Sequence, residues 1–450
     1  MSTWTAERVR AALDLPPSGA EASFTRVLTD TRAIVPGALF VALAGEHFDG
    51  HDFLAPAAAA GATGAVVRPG TRVPEGVVAF EVADPLWGLG QLARARRREL
   101  AGPVIAVTGT NGKTSTKEML AAGLGTRYRV HATRANLNNL IGVPMTILEA
   151  PEDTEALVVE AGANLPGEVG RYREIIEPSL AIVTNAVAGH LEGFGSLAGV
   201  VEEKLSLTVG VPLAVVGTEP PELAAGARRR ALGTRSAGLQ RAELMPDRVD
   251  LGPDARPVMT FGGVRFTLAA RGLHQADNAT RVWAVVEVLD LARDAAARAL
   301  ERFAIPGGRG EVLDQGGLTI LNDCYNANPQ SFRAAIATAR ALRRSRRLVL
   351  VVGTMRELGE ASAALHAEVA TALVDLEPDI LAAVGDFVPA LAPHAERLGE
   401  RLITAADPEA LGPLVQARLR GGEVVLLKAS RGVALERILP ALSVRAIPPR

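Results

Sequence analysis

The stretch Val104–Leu120 reads VIAVTGTNGKTSTKEML. Val104–Val107 are apolar and mostly β-branched, the pattern of a short buried strand, and Thr114–Leu120 is helix-compatible, with Met119 and Leu120 as apolar anchors. In between, Gly109 and Gly112 permit backbone angles that other residues resist. Successive N–H groups can then converge at the mouth of the following helix, where its dipole also favours an anion. The pattern predicts a phosphate cradle in which Lys113 reaches the terminal phosphates as a point charge and the Thr114 hydroxyl meets Mg2+. Val107 stands where the common Walker A pattern has its first glycine, so Gly109 opens a shorter loop. The competing reading, a glycine turn with a solvated lysine, is disfavoured by the strand before it and by Gly-Lys-Thr at a helix start. ATP is the expected ligand, on Gly109, Thr110, Asn111, Gly112, Lys113, Thr114 and Ser115.

The chain has 450 residues, too many for one ordinary core, and about 100 to 200 residues per domain suggests two to four domains. Three are expected: 1–98, 99–306 and 307–450. A formal net charge of -2 gives no global argument for nucleic acid or membrane as partner. The clusters Arg94–Arg98 and Arg343–Arg347 each flank an apolar run and read as solvated helix faces. A single cysteine, Cys324, excludes an intrachain disulfide, and no Cys/His cluster has zinc spacing. The opening residues MSTWTAERVR lack the apolar core of a signal peptide, and no apolar run approaches the ~20 residues of a membrane span. A soluble, cytoplasmic protein is expected.

Residues before about 98 alternate short apolar runs (Ala38–Ala44, Ala65–Val67, Val77–Val82) with turns and a helical segment, a small α/β unit. Within it, Asp30–Phe53 concentrates polar groups at both ends of a strand, a place for an extended anionic ligand. From 99 to 306, strand follows helix repeatedly, the mark of a parallel sheet covered on both faces. Leu157–Glu160 ends on a carboxylate, and Leu180–Thr184 runs into Asn185 and the loop to His190. Ligands of such sheets sit beyond the carboxyl ends of the strands, so Gly109–Thr114, Glu160 and Asn185–His190 should share one crevice. There Glu160 and His190 can complete an oxygen and nitrogen shell around a second divalent ion. Residues 217–270 read as a peripheral insertion or sheet extension. Asn278, near a helix start, reads first as a residue satisfying backbone donors. Pro306–Gly308 forms a hinge into another alternating unit, whose strand ends carry NDCYNANP at Asn322, GTMRELG at Gly353 and KASRG at Lys428. The expected fold class is therefore three-domain α/β: a small N-terminal α/β domain, a central P-loop ATPase-like parallel-sheet domain and a C-terminal Rossmann-like doubly wound domain.

Taken together, these stretches resemble the Mur ligase family of peptidoglycan synthesis nearly end to end. The resemblance is carried by DTRAIVPGALFVALAGEHFDGHDF at Asp30, GTNGKTSTKEM at Gly109, NLNNLIGVPMTIL at Asn136, EAGANLPGEV at Glu160, HLEGFGSLAGV at His190, GRGEV at Gly308, and the three loops just named. It implies that Lys113 holds phosphates, Thr114 one Mg2+, and Glu160 with His190 a second. Lys204 matches a lysine carbamylated by CO2 into a metal ligand, an assignment that rests wholly on the family. Asn278 would contact adenine, Arg309 the ATP phosphates and Asp323 the ribose. Thr31, Arg32 and Asn139 would serve the nucleotide substrate, and Asn326, Asn328 and Ser430 would lie near the acceptor. The sequence departs from the family pattern at Leu165, where histidine is usual, at Thr354 in place of aspartate, at Gln275 in place of asparagine, and at Leu205–Leu207.

A DNPR motif, used by the diaminopimelate-adding relative, is absent from the sequence. The resemblance therefore points to the dipeptide-adding branch, with UDP-N-acetylmuramoyl-tripeptide and D-alanyl-D-alanine as small-molecule substrates, ATP and Mg2+ as cofactors, no nucleic acid, and a monomer. The implied chemistry is ATP-dependent amide formation through an acyl phosphate. A ligase of the same activation with another acceptor, of Mur or folylpolyglutamate type, and a non-catalytic nucleotide-binding regulator are the other readings.

Overall fold

Strand Val104–Thr108 is buried along its whole length, as a run of apolar and β-branched residues requires of a strand covered by helices on both faces. The computed structural model describes residues 4–45, 47–189 and 191–443. In it the central sheet has the order Thr234–Ser236, Leu213–Val216, Leu180–Val183, Val104–Thr108, Ala156–Glu160, Val130–Ala132, and every pair is parallel. From Val104–Thr108 the chain goes to one edge, works back, and then continues on the other side. The loops beyond Val104–Thr108 and its two neighbours therefore open into a crevice at the point where the order reverses.

One face of this sheet packs Ile105, Val107 and Ile182 against helix Leu273–Val288, and the other packs Ala106, Val159 and Val183 against helices Gly142–Leu148 and Glu168–Ile176. Of residues 217–270, expected as a peripheral insertion or sheet extension, Thr234–Ser236 extends the central sheet beside Leu213–Val216, and residues 248–267 contribute to the first of these cores. They form a three-stranded antiparallel sheet, Arg248–Leu251, Pro257–Phe261 and Val264–Thr267. Met259, Phe261 and Phe266 point inward, and the two phenylalanine rings stack on Trp283 with centroids 4.8 and 5.4 Å away. The inward alternation spans only a few residues of each strand, too short to stand out among the prolines, glycines and arginines around it.

The N-terminal domain holds four parallel strands in chain order, Val27–Leu28, Ala38–Val41, Ala62–Val67 and Val78–Glu81. Helix Pro85–Arg97 follows, begun by Asp84, whose Oδ1 accepts from Leu86 N at 2.8 Å, and by proline in the first turn. Its last turn is solvated only in part, since Arg96 is buried while Arg98 stays exposed. Arg94 Nε and Arg98 Nη2 donate to Glu177 Oε1 at 2.8 and 2.7 Å, and Arg97 donates to the Ile176 and Glu177 carbonyls at 2.7 and 2.8 Å. In the second cluster Arg343 donates to the Leu376 carbonyl and Arg347 to buried Glu423 at 2.8 Å, while Arg344 stays exposed.

The C-terminal sheet runs Glu311–Gln315, Leu318–Asp323, Val424–Lys428, Leu348–Val352, Ile380–Ala383, Leu402–Thr404. Its first pair is antiparallel and the rest parallel. The two edge strands, Glu311–Gln315 and Leu402–Thr404, are only half-buried, so they lack the continuous apolar run that marks the others. The architecture is three α/β domains, as expected. Among the described residues no helix is long and apolar enough to cross a membrane.

Candidate active site

The phosphate loop is bent by two glycines that no other residue could replace. Gly109 has φ 145°, and a Cβ there would lie 1.9 Å from Thr184 Oγ1; Gly112 has φ 82°, and its Cβ would lie 2.4 Å from Asn278 Oδ1. The neighbouring strand end fastens the loop in place. Thr110 N donates to the Asn185 carbonyl at 3.0 Å, Asn111 N to Asn185 Oδ1 at 2.9 Å, and Thr184 Oγ1 to the Asn111 carbonyl at 2.6 Å. Lys113 Nζ folds onto the Gly109 and Thr110 carbonyls at 2.8 and 3.1 Å. Burial pushes its pKa down and nearby Arg309 adds to this, while Glu160 opposes both. Ser115 Oγ accepts from Gln275 Nε2 at 3.2 Å, so the glutamine that departs from the family pattern supports the cradle.

Glu160, at the carboxyl end of Ala156–Glu160, is 1% exposed. Its Oε1 accepts from Thr114 Oγ1 at 3.1 Å and from Asn138 Nδ2 at 2.8 Å, and its backbone N–H is held by Thr133 Oγ1 at 2.9 Å. Oε2 is buried with no hydrogen-bond partner. A carboxylate oxygen in that state is costly unless a cation meets it, so Thr114 and Glu160 fit a divalent ion. Among the described residues no group of three or more His, Cys, Asp and Glu is gathered, and any such ion would need other ligands, such as phosphate oxygens. His190, expected to share the shell, lies outside the described residues.

Lys204 lies on helix Leu197–Ser206 and is 1% exposed. Burial, with the Lys113 charge adding to it, pushes its amine down to about 7 against the partial opposition of Glu203 and Glu168. Asn138 was missed in the sequence. It lies in the stretch NLNNLIGVP, but nothing local distinguished it from Asn136 or Asn139.

Between the central and C-terminal domains lies a cleft of about 1150 Å³ whose lining includes Asn111, Gly112, Ser115, Asn278, Arg309 and Asp323. Asn278 is buried beyond the first turn of Leu273–Val288, whose N-cap is Gly272, so it does not cap the helix. The Arg309 guanidinium lies 3.6 Å from the Tyr325 ring centroid, with Arg431 at 5.1 Å from the same ring. Asp323 pairs with buried Lys428 at 2.5 Å, and Lys428 Nζ also donates to the Asn326 carbonyl at 3.1 Å. His274 also lines this cleft. Burial pushes its pKa down, and Asp323 partly offsets this.

The remaining expected residues are spread more widely. Asn326 lines the cleft, with Oδ1 accepting from Ala327 N at 2.8 Å, and Asn328 reaches the phosphate loop. Ser430 Oγ accepts from Arg356 N at 2.9 Å, which ties together the loops after Leu348–Val352 and Val424–Lys428. Thr354 Oγ1 accepts from Asp386 N at 2.9 Å, so the threonine that replaces aspartate links two strand-end loops. Thr31, Arg32 and Asn139 do not line the interdomain cleft. Arg32 folds onto Asp30 with Nη2 to Oδ2 at 2.7 Å, and Asn139 Oδ1 accepts from Gly142 N at 2.8 Å at the start of helix Gly142–Leu148.

Three family models match the chain: "Mur ligase family, catalytic domain" over residues 23–97, "Mur ligase middle domain" over 107–286 and "Mur ligase, glutamate ligase domain" over 308–431. The UDP-N-acetylmuramoyl-tripeptide--D-alanyl-D-alanine ligase of Bacillus subtilis is 35% identical over 92% of both chains. Its Escherichia coli counterpart is 34% identical over 94% of this chain and 95% of that one. Among solved structures, MurF from Acinetobacter baumannii is 30% identical with a TM-score of 0.87, covering 98% of this chain and 99% of the other. MurF from Thermotoga maritima in complex with ADP is 29% identical with a TM-score of 0.81, covering 92% and 96%. With likeness sustained through all three domains, in sequence and in fold alike, the chain belongs to the Mur ligase family.

Proposed function

We propose that this protein is an ATP-dependent, ADP-forming ligase that joins D-alanyl-D-alanine to the C-terminal carboxylate of UDP-N-acetylmuramoyl-tripeptide in peptidoglycan precursor synthesis. The observation that carries the reading is the convergence of the glycine-bent loop, the half-satisfied Glu160 carboxylate and Arg309 of the C-terminal domain. The ADP complex of the Thermotoga maritima relative supports ATP as the nucleotide.

The tripeptide carboxylate attacks the γ-phosphorus of ATP and the bond to the β-phosphate oxygen breaks, giving ADP and an acyl phosphate. The dipeptide amine then attacks the acyl carbon, loses a proton, and the tetrahedral intermediate expels phosphate to leave the amide. Two anions must first be brought together, so positioning and electrostatics supply the catalysis. Lys113 leaves the Gly109 and Thr110 carbonyls for the β- and γ-phosphate oxygens. Arg309, stacked on Tyr325, meets the phosphates from the opposite side of the cleft. Asn278, packed against Gly112, faces adenine, and Asp323 faces the ribose. Thr31, Arg32 and Asn139 serve the nucleotide substrate, with Asn326 and Ser430 towards the acceptor.

Thr114, Glu160, His190 and carbamylated Lys204 would hold Mg2+, which when bound offsets the phosphate charge. An amine that burial pushes down to about 7 is partly neutral at physiological pH and so can add CO2 to form a carbamate with release of a proton. The domain limits we assign are 1–98, 99–306 and 307–450, and we place the protein as a monomer in the cytoplasm.

The test is phosphate release from enzyme, ATP, Mg2+ and UDP-N-acetylmuramoyl-tripeptide, with and without D-alanyl-D-alanine and with single amino acids as competing acceptors. Turnover is expected only with the dipeptide. Turnover with a single amino acid instead, or nucleotide binding without phosphate release, overturns the reading.

A further inference from the structure

Asn328, expected near the acceptor, has an amide with little capacity left to recognise one. It is 4% exposed and is the N-cap of helix Pro329–Arg343. Its Oδ1 accepts from Ser331 N at 2.9 Å and from Asn111 Nδ2 at 3.2 Å, and its Nδ2 donates to Asn111 Oδ1 at 2.8 Å. An Asn amide offers two donor hydrogens and two acceptor lone pairs, so a single hydrogen remains. Its backbone is engaged as well: the N–H donates to Ser331 Oγ at 3.0 Å and the carbonyl accepts from Phe332 N at 2.9 Å.

Asn111, the partner, sits between Thr110 and Gly112 in the phosphate cradle and is clamped from two sides. Asn185 and Thr184 hold its backbone, while Asn328 and Gln330 take its side chain, the latter through Nδ2 to Oε1 at 2.7 Å. Gln330 in turn donates to Glu219 of the central domain. This reciprocal amide pair joins residues 217 positions apart and spans the cleft between two domains.

We propose that Asn328 is a positioning residue that acts on the nucleotide through Asn111, setting the phosphate loop against the C-terminal domain, and that it does not bind the acceptor dipeptide. The part about the acceptor rests on the ligase reading above; the part about the nucleotide does not. Asn328→Asp is the discriminating variant, because Asp caps a helix as well as Asn does yet places a carboxylate oxygen opposite Asn111 Oδ1. Loss of one hydrogen bond with repulsion in its place should weaken ADP affinity by about tenfold in calorimetry and raise KM for ATP by a similar factor, with KM for D-alanyl-D-alanine unchanged. Asn328→Ser, which keeps the cap without the amide, serves if the Asp variant does not fold.

A double-mutant cycle with Asn111→Ala should show that Asn328→Asp adds little once Asn111 is gone. Unchanged ADP affinity in the Asn328 variants, additive effects in the cycle, or a rise in KM confined to the dipeptide overturns the proposal. Failure of the wild-type protein to use the dipeptide would overturn the ligase reading instead, and ADP affinity would still decide the nucleotide role.

Discussion

Thr114 Oγ1 donates to Glu160 Oε1 at 3.1 Å across the central crevice, while Glu160 Oε2 lies buried without a partner. The first residue follows the loop's lysine and the second ends a neighbouring strand, so the helix start and the strand end meet at one point. The carboxylate is held firmly on one oxygen and left open on the other. That asymmetry suits a group whose task is to receive a cation.

Glu160→Gln should separate this role from folding. Removing a buried, half-satisfied charge is expected to leave the metal-free fold as stable as wild type or more so, whereas turnover should fall by about 100-fold or more. Urea denaturation and steady-state phosphate release check both. A severely unstable variant that retains turnover would show the carboxylate to be structural.

Lys113→Met removes an ammonium whose bonds are to two loop carbonyls. We expect kcat to fall by about 1,000-fold or more, since this charge opposes the repulsion between nucleotide and carboxylate. The fold should persist, as judged by circular dichroism and an unchanged gel-filtration profile.

With Lys204, its amine pushed down to about 7, carbamylated as proposed, turnover is expected to depend on CO2. Degassing at pH 8 should lower activity and bicarbonate should restore it, with slower recovery at pH 6, where the amine is mostly protonated and cannot add CO2. The same shift sets a stability profile in CO2-free buffer. Between pH 7 and the ordinary 10.5 the unfolded chain binds the proton that the folded chain refuses, so wild-type stability rises with pH across that window. Lys204→Met should therefore be more stable than wild type by about 2 to 4 kcal/mol at or below pH 7, with the difference shrinking towards pH 10.5.

Glu177 is held down to about 2 by Arg98, with Arg94 adding to the effect. A carboxylate depressed in the folded state contributes stability above its ordinary value of 4.5 and loses that contribution as pH falls towards 2. Glu177→Gln should cost about 1 to 2 kcal/mol at pH 7, allowing for partial exposure. The variant and wild type should converge near pH 2 in acid titrations of stability.

What the sequence by itself determined were features whose residues are close in the chain. The run Val104–Leu120 carries strand, loop and helix start within one turn of structure, and the apolar strands Leu180–Val183, Leu348–Val352 and Val424–Lys428 announce parallel sheets through unbroken burial. Local geometry needs no distant partner, so it leaves a local signal.

The tertiary structure alone decided which side chains meet across elements. Asn138 steadies Glu160, Arg94 and Arg98 close on Glu177, the strands of 248–267 stack on Trp283, and Asn328 pairs with Asn111. Each of these contacts depends on how sheets and helices pack and on which loops that packing brings together. A hydrogen bond between residues far apart in sequence imposes no periodicity on either segment, and so it becomes legible only when the domains are folded against one another.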